Sequence, residues 1–94
     1  MERNFNVGQI VQTRFGTSNE KRFIENANIR IMGDVNNLGS VEYYMGEVLG
    51  DTGVFVNMVY NDQTRKFNTV DIIRIGTGRF KTVDDIAQFF NCKL

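Results

Sequence analysis

The sequence predicts a small, mainly β barrel of five strands with an α-helix at its C-terminal end, and two observations carry that prediction. The first is the stretch Val41 to Ile75, which alternates in the period of two that belongs to strands and is cut by short polar turns. The second is a single helical stripe, Val83, Ile86, Ala87 and Phe90, spaced i, i+3, i+4 and i+7. The 94 residues suit one domain over 1–94, with the barrel expected within 5–75 and the helix within 82–92.

In chain order, Phe5, Val7, Val11, Thr13 and Phe15 share one parity, which predicts a first strand. Gly16-Thr-Ser-Asn19 is turn chemistry. Residues 16–40 then read as an excursion inserted between that strand and the meander. Within it, Ala27 to Met32 fits a short strand, and Glu20 to Asn26 fits a helical turn capped by Asn19. Gly33 to Gly39 is rich in residues that tolerate left-handed backbone and reads as a loop.

The meander places Tyr44, Gly46 and Val48 on one face, with Tyr43, Met45, Glu47 and Leu49 on the other. Gly50-Asp-Thr-Gly53 supplies a hairpin turn. Val54, Val56, Met58 and Tyr60 then share a face, with Phe55 and Val59 opposite. Asn61-Asp62-Gln63 turns the chain, Arg65 to Phe67 re-enters the sheet, Thr69-Val-Asp71 reads as a kink and Ile72 to Ile75 closes the sheet. The expected core holds Val11, Gly46, Val48, Val56, Met58, Ile72 and Ile75. Thr82 and Asp85 have the spacing of a helix capping box, with Asp84 also at the positive helix end.

Both meander strands are apolar on both sides, so the face opposite the core needs cover. Phe89 falls about 100° from the centre of the helical stripe. A second subunit would bury Phe89 with Tyr43, Met45 and Leu49; the segment 16–40 folded back over the barrel would also cover the last three. Both arrangements, homodimer and monomer, stay open on the sequence.

Eleven Lys and Arg balance eleven Asp and Glu, which removes the argument for a globally basic nucleic-acid binder. The charge is segregated nonetheless. Ile31 to Thr64 carries five acids and no cation, whereas Arg65 to Lys81 carries five cations against Asp71 alone. That pattern gives an acidic and a basic face unless the strands interleave.

There is no histidine, so the commonest general base and metal ligand is missing from the chain. The one cysteine, Cys92, pairs with nothing internally and has no neighbour that would activate it. Gly76-Thr-Gly78-Arg79 before a helix lacks the rest of any phosphate-loop fingerprint. These features point away from an enzyme and imply no cofactor and no metal. The absence of an apolar run of about 20 residues, or of a signal-like N-terminus, leads to an expectation of a soluble cytoplasmic protein with no membrane partner.

The order of motifs in the meander resembles the Tudor branch of the SH3-like barrels. Val7-Gly8 opens the first strand and Phe15 ends it; Tyr44-Met-Gly46-Glu-Val48 matches the second. Val59-Tyr60-Asn61-Asp62 matches the third strand and its turn, and Asp71-Ile72-Ile-Arg-Ile75 the close. The chain departs from the pattern in three places: the long segment 16–40, Asp62-Gln63-Thr64 in place of aromatic-glycine-asparagine, and the added helix. The resemblance implies an aromatic cage for a cationic, often methylated, protein segment, with Phe15, Tyr44 and Tyr60 as walls and Asn61 or Asp62 at the rim. An aromatic face attracts a cation by about 0.5–2 kcal/mol per ring. Two alternatives stand beside it. Arg65, Lys66, Arg74, Arg79 and Lys81, interleaved with Phe67 and Phe80, suit nucleic acid; and the small size, many asparagines and acidic segment suit a viral or mobile-element inhibitor of a host protein.

Overall fold

The computed structural model describes residues 4–15, 25–35, 41–76 and 78–94. Five strands run β1 (Ile10–Phe15), β2 (Glu25–Asp34), β3 (Tyr43–Val48), β4 (Val54–Asn61) and β5 (Lys66–Arg74), followed by helix α1 (Val83–Phe90). The order β1-β2-β3-β4-β5 closes into a barrel, consistent with an SH3-like small barrel. All neighbours are antiparallel except the closing pair, where β1 and β5 run parallel through Thr13 opposite Phe67 and Arg14 opposite Asn68.

The count of five matches the sequence reading, but its composition does not. Residues 25–34, expected within an excursion, form a ten-residue strand that links β1 to β3. The short strand read over Ala27 to Met32 is its centre, and the strand is longer than that and belongs to the barrel itself. Asn28 and Arg30 alternate with Ala27, Ile29 and Ile31, and the second set turns inward: Ile29 and Ile31 are buried in the core with Ala27 packed beside them. The proposed helical turn over residues 20–26 and the loop over 33–39 fall largely outside the described residues; Gly33 and Asp34 belong to β2.

The expected kink at Thr69-Val-Asp71 is a β-bulge inside one continuous strand. Met58 faces Thr69 and Asn57 faces Asp71, so Val70 is the extra residue and is exposed. One inserted residue reverses which side chains point inward. Phe67 therefore enters the core before the bulge and Ile72 after it, while Ile73 faces the other way. A second bulge at Met32 does the same in β2: Ile29 and Ile31 point into the barrel, and Met32 and Val35 point to the outer layer.

Two apolar layers result. Inside the barrel sit Ile29, Ile31, Tyr44, Val48, Val54, Val56, Met58 and Phe67. Of the expected core, Gly46, Val48, Val56 and Met58 are buried, whereas Val11, Ile72 and Ile75 are half-buried at the edges of the two layers. Outside lies the second layer, in which Met45 and Phe55 of the sheet meet Ile86, Ala87 and Phe90 of α1 together with Val35 and Cys92. The helix thus covers Met45 and packs against Tyr43, leaving Leu49 and Phe89 exposed. Each large apolar side chain so buried contributes about 1.5–3 kcal/mol.

The helix is set by its ends. The Thr82 hydroxyl accepts the Asp85 amide N–H at 3.2 Å while the Asp85 carboxylate accepts the Thr82 amide N–H at 3.0 Å, the expected capping box. Asn91 closes the other end in left-handed backbone, and a bridge between Val35 and Cys92 ties the tail to the sheet.

The charge segregation in sequence does not become two clean faces. Arg74 meets Asp51 at 3.4 Å and Arg30 meets Glu47 at 2.6 Å, so cations from neighbouring strands reach into the acidic segment.

Candidate functional site

The barrel opens at the end where β1 and β5 part. Their pairing begins only at Thr13 and Phe67, so Val11 and Gln12 have no β5 partner and the β4–β5 turn stands clear of them. Between the two lies a cleft of about 890 Å³. Val11, Gln12 and Thr13 form one wall; Thr64, Arg65, Lys66 and Asn68 form the other. Phe5, Tyr60 and Phe67 form its aromatic back.

The turn that projects the cations is rigidly specified. Asn61 Oδ1 accepts the amide N–H groups of Gln63 at 2.9 Å and Thr64 at 3.2 Å, and the Asn61 carbonyl accepts the Arg65 N–H at 2.7 Å. This asparagine-built turn puts Arg65 in left-handed backbone at φ 58°, an uncommon conformation for a residue with a Cβ. Arg65 and Lys66 are exposed, and among the described residues lining the cleft there is no acid.

Behind the cleft is an aromatic cluster with Phe5 in its middle. The Phe5 ring lies 4.8 Å from Phe67, 4.9 Å from Tyr60 and 5.6 Å from Tyr44, centroid to centroid. Tyr44 is fully buried, and its hydroxyl donates to Glu42 Oε1 at 2.8 Å. Glu42 is itself 3 % exposed and also accepts two bonds from Asn4, one from the backbone N–H and one from the side-chain amide, each 3.0 Å. Residues 4–6 therefore lie across the barrel end, anchored at Glu42 and filling the space in front of Tyr44.

The residues expected to wall a cage separate accordingly. Tyr44 is closed off beneath Phe5 and is no open wall, because its ring completes the barrel core. Tyr60 is half-buried and lines the cleft. Asn61 is spent on the turn, and Asp62 is exposed beside it. Phe15 ends β1 opposite Glu25, with its side chain outside the described residues. The alternative basic set also divides. Arg65 and Lys66 share the cleft, whereas Arg74 lies at the far end of β5, about 25 Å away at ~3.3 Å per residue. Arg79 packs over the rings of Phe80 and Phe89 at 5.4 and 5.6 Å, beside the helix start with Lys81. These five cations form no continuous track.

Two members of the site, Phe5 and Glu42, were not assigned to it from the sequence, whereas Phe67 was read there among the basic residues of the nucleic-acid alternative. Phe5 carried a signal as an aromatic at strand parity. Glu42 carried none, since a carboxylate becomes a buried acceptor only through the chain segment that folds over it.

At the start of the helix, the Asp85 carboxylate accepts the backbone N–H groups of Lys81 and Thr82, which holds its pKa below the ordinary aspartate value. It thereby occupies the positive helix end that an anion would otherwise use. Thr77 of the Gly76-Thr-Gly78 stretch lies outside the described residues. Among the described residues no three His, Cys, Asp or Glu side chains gather in a way that could hold a metal, and no helix is long and apolar enough to cross a membrane. Comparison with protein-family models, with curated proteins and with solved structures finds no match to this chain.

Proposed function

We propose that this protein is a non-enzymatic binding module that takes a short segment of single-stranded nucleic acid in the cleft between β1 and β5. One observation carries the reading: Arg65 and Lys66 share that cleft with the half-buried ring of Tyr60, in front of Phe5 and the buried Phe67, and no acid is among the described residues lining it. Two cations at the lip suit phosphates, and the accessible part of the Tyr60 ring suits a stacked base. Base stacking of this kind contributes about 1–3 kcal/mol per base. Gln12, Thr64 and Asn68 add hydrogen-bonding groups along the walls. The same lip cations oppose a basic peptide, and Tyr44, the central wall of a methyl-lysine cage, is buried. That is why nucleic acid takes precedence over the cationic segment implied by the Tudor resemblance.

The test is fluorescence anisotropy with a labelled single-stranded oligonucleotide, set against a basic peptide of matched length. Two phosphate contacts give a slope of log K against log salt of about −1.4, and Lys66→Gln brings it to about −0.7. Binding of the basic peptide alone, or oligonucleotide binding indifferent to Lys66→Gln, overturns the reading.

A further inference from the structure

The N-terminal segment lies over the barrel end as a ligand would, with Phe5 half-buried above Tyr44, Phe67 and Glu42. One aromatic ring, Phe5, is surrounded by Tyr44, Tyr60 and Phe67, and two adjacent N–H donors of Asn4 are paired with the carboxylate of Glu42. The segment has a short connection to the sheet: Val7-Gly8 turns the chain, Gly8 takes φ 91°, and the Gly8 N–H donates to the Ile31 carbonyl at 2.8 Å. The side chains exposed by its departure would be apolar rings around a buried carboxylate. Losing the two Asn4 donors is unfavourable for so buried a carboxylate, so an occupant that displaces Asn4 is favoured when it brings N–H groups of its own to those same oxygens.

Resting on the nucleic-acid reading, we propose that Asn4 and Phe5 hold the site in cis as a base mimic, and that Glu42 reads guanine when they leave. The chemistry is matched. The Watson–Crick edge of guanine presents an N1–H and an N2 amino group side by side, two donors that a carboxylate accepts together, as Asn4 supplies two from its backbone and side chain. Adenine and the pyrimidines present no such pair of adjacent donors on that edge. The guanine ring takes the place of the Phe5 ring against Tyr60 and Phe67. Tyr44, whose hydroxyl donates to Glu42 Oε1, holds that carboxylate in place from behind. Phe5 is thus a plug whose removal opens the site, and Glu42 is the group that sets specificity.

The experiment compares full-length wild type with Phe5→Ala, Asn4→Ala and Glu42→Gln. The probes are an all-thymine strand, an alternating thymine–guanine strand of equal length, and the inosine analogue of the latter, which lacks the N2 amino group. An occupant lowers apparent affinity by the fraction of time the site is closed. Phe5→Ala and Asn4→Ala are therefore expected to tighten binding of the guanine strand several-fold, with the gain lost on inosine substitution. Glu42→Gln is expected to level the guanine-to-thymine ratio, a readout that a general loss of folded protein leaves unmoved. If both N-terminal variants weaken or do not change binding, Phe5 is a stacking platform and the plug is refuted. If the ratio is flat in every variant, Glu42 does not read guanine. In either case oligonucleotide binding itself survives; if no strand binds any variant, the nucleic-acid reading falls together with this inference.

Discussion

Gly46 of β3 lies directly against the side chain of Ile29, its diagonal neighbour on the adjoining strand β2, so close that a Cβ built on the glycine would clash with the Ile29 Cγ2 methyl. Glycine is needed there for space: Ile29 is wholly buried and has nowhere to move, and Met58 Cε is 3.5 Å from the same point.

Gly46→Ala is therefore expected to destabilise the protein by about 1–3 kcal/mol, the usual cost of overpacking a core. Ile29→Leu removes the branched methyl while keeping the volume, and combining it with Gly46→Ala should recover part of that loss. Chemical denaturation of the two single variants and the double variant gives the coupling. Strict additivity would show that the Ile29 methyl is not what requires glycine.

At the helix start, the Asp85 carboxylate has a lowered pKa because the amides of Lys81 and Thr82 donate to it. A carboxyl with a folded pKa below its unfolded one stabilises the fold above the unfolded value, and that contribution fades as pH falls through the folded value. Asp85→Asn should lower the melting temperature at neutral pH, with the difference narrowing below about pH 4. A difference constant from neutral pH into strong acid would place the effect in packing and not in the charged cap.

Burial pushes the Cys92 thiol above its ordinary pKa, with the nearby Asp34 charge acting in the same direction. Since the thiolate is the reacting species, alkylation of native protein should be slower than that of a free thiol at the same pH. It should match the free thiol once the chain is denatured. The site is also tight: a Cβ on Gly33 would meet the Cys92 sulfur at 2.9 Å. Native-state labelling at the free-thiol rate would contradict both statements.

The sequence determined the elements whose side chains alternate against clear turns. Tyr43–Val48 and Val54–Asn61 appear as strands because glycines fix the turn between them and apolar side chains mark both faces. The helix was equally legible, since Thr82 and Asp85 cap it through bonds three residues apart and its apolar stripe needs no distant partner to be read. Tertiary structure alone decided the remainder. Ala27 to Met32 was legible as a short strand, but its full length over Glu25–Asp34 and its place between β1 and β3 followed only from pairing with both, which turns Ile29 and Ile31 inward. The bulge at Val70 reads as a kink in one dimension, but its register against Asn57 and Met58 makes it an inserted residue that reverses the faces of β5. The site followed the same division. Tyr60, Arg65 and Lys66 were identifiable by residue type, whereas which of them face one cleft depended on barrel closure. The burial of Tyr44 and Glu42 came from Asn4 and Phe5, 38 residues from Glu42 in the case of Asn4, a contact that no local pattern encodes because its energy resides in the meeting of two distant segments.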